Sequence, residues 1–133
     1  MSRLCLDTSA YSHFHRGDGP AVAELSRAVW VGVPTIVIGE LRSGFLLGSR
    51  PDHNETGLTN FLANPTVAVL DVDEEAARVY AEIVVALRQA GTPVPTNDIW
   101  IAALAARAGV PVLTYDRHFS SIARVGARIL TRA

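Results

Sequence analysis

The 133-residue chain contains no lysine, and all twelve of its basic residues are arginine. This absence excludes chemistry that needs a lysine amine, such as a phosphate-binding P-loop or a Schiff base. Cys5 is the only cysteine, so the chain can form neither an internal disulfide nor a cysteine-based zinc site. The longest uninterrupted apolar run, residues 99–106, is far too short to cross a bilayer. The first residues have no signal-peptide layout, and we therefore expect a soluble, cytoplasmic protein.

Hydrophobic residues make up 49% of the chain and charged residues 19%, a composition typical of a compact folded domain. The net charge of −1 produces no strong overall field, so binding to nucleic acid would require a local patch of arginines. The chain shows no internal repeat, low-complexity tract or linker. We therefore expect residues 1–133 to form one domain.

Hydrophobic periodicity and helix-breaking residues divide the chain into strands and helices. Strands are predicted at residues 3–7, 35–38, 66–72, 110–114 and 128–130, and helices at 9–15, 21–30, 55–63, 73–90, 97–108 and 117–123. A further helix is predicted directly after residues 35–38, where Leu41 and Phe45 share one face. Nearly continuous apolar strands separated by helices indicate a parallel sheet covered on both faces, which is a three-layer α/β/α sandwich. Ligands of such sheets lie beyond the carboxyl ends of the strands, where the strand order reverses.

Four acidic residues stand near the predicted carboxyl edge of this sheet. Asp7 directly follows the first strand, and Glu40 lies two residues beyond the second, in the opening turn of its helix. Asp116 lies two residues beyond the fourth strand, and Asp98 opens the helix that leads into that strand. Asp98 joins the other three only if its helix begins on the same side of the sheet.

Each acid also has a structural interpretation. Asp7 and Asp98 could cap the helices that they precede, and Asp116 could begin a turn. Glu40 is the hardest to explain in this way, because it interrupts the apolar run PTIVIGEL, where an unpaired buried carboxylate is costly. The glycine before it, Gly39, suggests a close approach of the backbone.

A cluster of carboxylates requires a counter-charge. Two like charges about 4 Å apart repel by roughly 4 kcal/mol at an effective dielectric constant near 20. Either some carboxyls stay protonated or a divalent cation occupies the cluster. Oxygen ligands favour Mg²⁺ or Mn²⁺ over zinc. Such a cation activates water and stabilises the departing oxygen, and a pair of cations serves both ends of a phosphoryl displacement. The pattern therefore indicates phosphodiester hydrolysis.

In order and spacing, the segments LDTSAY, VIGEL, TNDIWIAALA and LTYDRHF resemble the motifs of PIN-domain nucleases, and most closely those of VapC-type toxins of bacterial toxin–antitoxin pairs. The resemblance covers nearly the whole chain. It implies a Rossmann-like, five-stranded and mostly parallel sheet, and an Mg²⁺- or Mn²⁺-dependent endoribonuclease. The implied catalytic and metal-binding residues are Asp7, Glu40, Asp98 and Asp116. The resemblance further implies inhibition by a small cognate antitoxin and assembly as a homodimer.

Several neighbours of these acids are candidates for supporting roles. Thr8, Asn97 and Thr114 could orient ligands or water, although capping and turn formation explain them at least as well. For His118 we favour a place at the start of a helix over contact with RNA. Four arginines near the acidic edge could hold RNA phosphates: Arg16, Arg42, Arg50 and Arg117.

The main alternative is a PIN-like domain that binds RNA or protein without significant turnover. A phosphotransfer domain is disfavoured, because receiver domains require a lysine near the site and phosphatases with an Asp-x-Asp pair require an acid where Ser9 stands. RNA cleavage that depends on metal and is abolished by EDTA would distinguish the nuclease from the binding domain.

Overall fold

Pairs of helices connect the first four strands along the chain. The computed structural model describes residues 2–133. Its strands are β1 (Ser2–Leu6), β2 (Ala28–Pro34), β3 (Val67–Leu70), β4 (Val112–Thr114) and β5 (Ala127–Ile129). Its helices are α1 (Thr8–His15), α2 (Gly19–Arg27), α3 (Thr35–Leu47), α4 (Pro51–Leu62), α5 (Glu74–Ala90) and α6 (Thr96–Ala108), with a 3₁₀ helix at Arg117–Ser121.

The sheet has the strand order β3-β2-β1-β4-β5, and every pairing is parallel. This confirms the predicted α/β/α sandwich with a five-stranded sheet. β1 lies at the centre, and its last three residues, Leu4, Cys5 and Leu6, are fully buried because helices cover both faces. The strand order reverses at β1, so the carboxyl ends of β1 and its two neighbours enclose the crevice in which such folds bind ligands.

The second strand was predicted in the wrong place. Residues 35–38 open α3, and the strand is β2, which ends at Pro34. The β-branched run TIVI favours a strand locally, but Pro34 has the extended conformation of an N-cap and the helix buries Val37 and Ile38. Gly32 lies inside β2, where a Cβ would come within 2.8 Å of the Trp30 ring.

The remaining elements agree with the prediction apart from their ends. α4 begins at Pro51, four residues earlier than predicted, because proline is well suited to the first helical position. The helix predicted over 117–123 is a shorter 3₁₀ helix. α5 buries a stripe that includes Ala76, Ile83 and Leu87, and it packs against α6. Within residues 2–133, none of the helices combines the length and apolar character needed to span a membrane.

Candidate metal and active site

Asp7 lies at the junction of β1 and α1 and is only 4% exposed. Its Oδ1 accepts hydrogen bonds from the Ala10 backbone amide and the Ser9 hydroxyl, both at 2.8 Å. Its Oδ2 accepts a hydrogen bond from the Thr114 hydroxyl. Asp7 is therefore the N-cap of α1, as the structural interpretation predicted, and at the same time a carboxylate at the edge of the sheet.

The pKa of Asp7 is raised from 3.8 to about 6, and burial is the main cause. The hydrogen bonds from Thr114, Ala10 and Ser9 act in the opposite direction, because they stabilise the charged form. The negative charge of Asp98 raises the pKa further. A buried charge of this kind favours a nearby cation.

Glu40 is the sixth residue of α3 and is half-buried. The Thr8 hydroxyl donates to its Oε1 at 2.5 Å, and the Asn97 side-chain amide donates to its Oε2 at 3.3 Å. Two of the three residues predicted to orient ligands therefore hold this carboxylate. The prediction for the segment itself was wrong in two respects. Glu40 is in the second turn of the helix, and Gly39 is exposed, where an added Cβ would meet no heavy atom within 4 Å, so the backbone makes no close approach there.

Asp98 occupies the third position of α6, whose N-cap is Pro95, so its side chain is not the cap. Asp116 is the N-cap of the 3₁₀ helix, and its Oδ1 accepts from the His118 backbone amide at 2.9 Å. The His118 ring joins the two acids, with Nδ1 3.0 Å from Asp116 Oδ1 and 3.3 Å from Asp98 Oδ2. α6 therefore begins on the acidic side of the sheet, as the grouping of Asp98 with the other acids required.

The pKa of Asp98 is raised, chiefly because the carboxyl is partly buried. The hydrogen bond and the charge of His118 lower the pKa, whereas the charges of Asp116 and Glu40 raise it. The contributions of Asp116 and Glu40 indicate that these acids are close enough to Asp98 to repel it. The four predicted acids thus share one electrostatic neighbourhood.

Two hydroxyl groups connect the end of β1 with the segment after β4. Thr114, which is fully buried, donates to Asp7 and accepts from the Asp116 backbone amide at 2.8 Å. Ser9 donates to Asp7 and accepts from the Tyr115 backbone amide at 3.0 Å. Thr114 was a predicted neighbour of the site. Ser9 was not, although its position two residues after the first acid is a signal for such a contact.

The donor atoms fit a divalent cation. Single ligand atoms of Asp98, Asp116 and His118 all lie within 4.8 Å of one another. Carboxylate oxygens suit Mg²⁺ and Mn²⁺, and an imidazole nitrogen suits transition ions. Asp7 and Glu40 adjoin this group, because the charge of Asp98 raises the pKa of Asp7 and the charge of Glu40 raises the pKa of Asp98.

The four arginines predicted to contact RNA are spread more widely than the acids. Arg117 is exposed and lies between Asp116 and His118 in the chain. Arg42 is exposed and pairs with Glu55, its Nε 2.9 Å from Oε1. Arg16 ends α1, about 13 Å along the helix axis from Asp7, and Arg50 precedes α4.

A second polar group lies beside the site, around Tyr115. The Tyr115 hydroxyl donates to Asp18, and its ring stacks on that of His13 at 3.9 Å between centroids. The pKa of Tyr115 is raised to about 12, mainly by burial and also by the hydrogen bond to Asp18. These contacts tie the residue next to Asp116 to the segment that joins α1 and α2.

The chain folds as a parallel α/β/α sandwich, and its carboxylates gather where the strand order reverses. These two features define the class of Rossmann-like domains with an acidic site. Within this class the PIN domain profile matches residues 4–125, and the chain belongs to the PIN domain family.

The relatives of the chain include two ribonucleases of Mycobacterium tuberculosis. Ribonuclease VapC5 is 34% identical over 92 residues, which are 69% of this chain and 68% of the relative. Ribonuclease VapC4 is 35% identical over 91 residues, 68% of this chain and 70% of the relative. A similar solved structure is that of a member of the VapBC family of toxin–antitoxin systems, VapBC-5 from the same organism, with 28% identity and a TM-score of 0.74 over 98% of this chain and 100% of that chain.

Proposed function

We propose that the chain is a divalent-metal-dependent endoribonuclease that acts as the toxin of a toxin–antitoxin pair. The observation that carries the proposal is that carboxylate oxygens of Asp98 and Asp116 lie close enough together to bind one cation, beside Asp7 and Glu40. RNA as the substrate is supported by the relatives named ribonucleases VapC5 and VapC4. An antitoxin partner is supported by the similarity to a toxin–antitoxin structure.

The side chains of this site can bind and orient the groups that phosphodiester hydrolysis requires. Asp98 and Asp116 would hold Mg²⁺ or Mn²⁺, with Asp7 and Glu40 adding charge, and the bound cation supplies activated water and stabilises the departing oxygen. Glu40 is held at both oxygens by Thr8 and Asn97. Its remaining lone pairs can therefore accept a hydrogen bond from water in a defined direction.

The proposed function is tested with the purified full chain, a folded RNA, and Mg²⁺ or Mn²⁺. We expect endonucleolytic cuts that EDTA abolishes. Asp98→Asn should reduce cleavage at least ~100-fold, the order expected when a group that stabilises the transition state is removed. The variant should stay folded, because Asp98 caps no helix and its neutralisation relieves repulsion.

Asp71→Asn is the matched control. Asp71 follows β3 as Asp7 follows β1, and it is exposed, with no side-chain hydrogen bond or ion pair to any of residues 2–133. Full cleavage by Asp71→Asn and loss in Asp98→Asn would support the proposed site. RNA binding without metal-dependent cleavage would instead support the alternative of a binding domain without significant turnover.

We propose further that the protein is a homodimer, that it acts in the cytoplasm, and that Arg16, Arg42, Arg50 and Arg117 bind RNA phosphates. Light scattering on the purified chain measures the oligomeric state. Replacing the arginines one at a time by glutamine should weaken RNA binding and reduce its salt dependence. Arg117→Gln should have the largest effect, because this arginine is next to Asp116 in the chain.

A further inference from the structure

His118 is the residue of the site for which the acidic motifs assign no role. It lies in the 3₁₀ helix with its side chain 51% exposed, and its Nδ1 faces two carboxylates. The distances are 3.0 Å to Asp116 Oδ1 and 3.3 Å to Asp98 Oδ2. One imidazole nitrogen therefore completes a group of three ligand atoms drawn from two segments of the chain.

The distances from Nδ1 to the two carboxylate oxygens are close to those between adjacent ligands of one cation. In an octahedral site with bonds of about 2.1 Å, neighbouring ligand atoms are about 3.0 Å apart. The distance of 3.0 Å to Asp116 Oδ1 matches this edge length, and the distance of 3.3 Å to Asp98 Oδ2 is slightly longer. A hydrogen bond from Nδ1 explains one such distance, but a single N–H cannot donate linearly to two acceptors at once.

The backbone holds the imidazole in this position. The amide of His118 donates to Asp116 Oδ1, the same oxygen that lies 3.0 Å from its ring nitrogen, so the two side chains are fixed within one short turn. The next residue, Phe119, is fully buried and anchors the 3₁₀ helix to the core. His118 is thus presented by a rigid segment, which is the way proteins position metal ligands.

We propose that His118 is a nitrogen ligand of the divalent cation at Asp98 and Asp116, and that it makes this site prefer Mn²⁺ to Mg²⁺. Imidazole nitrogen binds transition ions more strongly than it binds Mg²⁺, which takes oxygen ligands almost exclusively. The inference rests on the proposed function in one respect only, because it places the cation in the same acidic site.

The decisive measurement is electron spin-echo envelope modulation on Mn²⁺ bound to the full chain without RNA. We expect modulation from a directly coordinated ¹⁴N nucleus, and a change to the ¹⁵N pattern when the protein is labelled with ¹⁵N-histidine. The modulation should disappear in His118→Asn, which can place an amide oxygen near the position of Nδ1. It should persist in His53→Asn, an exposed histidine in the first turn of α4.

Calorimetric titration tests the metal preference. His118→Asn should weaken Mn²⁺ binding about 10-fold or more and Mg²⁺ binding much less, so the ratio of the two affinities falls. Circular dichroism confirms that each variant is folded, and the wild-type spectrum shows whether any histidine nitrogen binds Mn²⁺ even if His118→Asn does not fold. His53→Asn should leave both affinities unchanged.

Mn²⁺ that binds without nitrogen coupling, or an equal loss of Mn²⁺ and Mg²⁺ affinity in His118→Asn, would overturn the ligand role of His118. Neither result affects the proposed ribonuclease, because its test is RNA cleavage that EDTA abolishes. Cleavage that survives EDTA would overturn the metal dependence of the proposed function, whatever atoms coordinate Mn²⁺.

Discussion

Replacing Asp7 with asparagine should stabilise the metal-free protein at neutral pH. Asparagine caps a helix about as well as aspartate does, so the Asp7→Asn variant keeps the hydrogen bond from the Ala10 amide that begins α1. The variant removes the buried negative charge. Ser9 and Thr114 can still form hydrogen bonds with the amide, since hydroxyl groups both donate and accept.

The size of the effect follows from the pKa of Asp7, which burial raises from 3.8 to about 6. At about 1.4 kcal/mol per pKa unit, the difference corresponds to about 3 kcal/mol. A carboxyl whose pKa is raised on folding binds its proton more tightly in the folded state than in the unfolded state. The protonated carboxyl therefore stabilises the fold, and this stabilisation is absent at neutral pH. The contribution is therefore complete below about pH 4 and is lost as the pH rises through about 6.

Thermal unfolding in EDTA between pH 4 and pH 7 measures this contribution. Wild type and Asp7→Asn should unfold at similar temperatures near pH 4, and the variant should be more stable by roughly 10 °C at pH 7. Asp7→Ala is the control for the cap, and it should be less stable than Asp7→Asn at every pH. Added Mg²⁺ or Mn²⁺ should stabilise wild type more than Asp7→Asn. If metal-free Asp7→Asn unfolds several degrees below wild type at pH 7, the charge of Asp7 does not destabilise the fold, Asp7 acts only as a cap, and the proposed site is wrong.

Two further substitutions test the hydroxyl groups of the site. Thr114→Val should destabilise the fold by about 1–3 kcal/mol in urea unfolding, because it removes one of the donors to the buried Asp7 carboxylate, while Thr114→Ser should restore most of the loss. A Thr114→Val protein as stable as wild type would show that the buried hydrogen bond contributes little. Thr8→Val should keep wild-type stability within about 1 kcal/mol and reduce RNA cleavage about 10-fold or more, since Glu40 loses the donor that orients Oε1. Unchanged cleavage by Thr8→Val would contradict the orienting role of Thr8.

Much of the fold could be predicted from periodicity, because burial imposes a repeating pattern on long elements. α5 illustrates this: its apolar stripe and the glycine at its end, Gly91 with φ +68°, place it within one residue of the predicted range. The segment around Pro34 could not be predicted in this way. Four β-branched or apolar residues in a row fit a buried strand and a buried helix equally well over so short a length.

The acidic residues of the site could be predicted from the sequence, but the contacts between them could not. Counting along strands places Asp7 and Asp116 at the carboxyl edge, because parallel strands end there together. The position of Glu40 in the second turn of α3, and the approach of His118 to two acids, depend on how separate segments pack. A residue pattern does not specify which ring nitrogen faces which carboxylate, and only the assembled structure shows it.

The central position of β1 has a consequence for the order of events during synthesis. A chain that has not yet been translated as far as β4 contains Asp7 and Glu40, but it lacks Asp116 and one of the two strands that flank β1. Because chains are made at about 5–20 residues per second from the N-terminus, the four acids meet only after residues up to 116 have left the ribosome. The topology therefore makes the acidic site one of the last parts of the domain to be completed, so a partly synthesised chain lacks the full set of residues that the proposed ribonuclease requires.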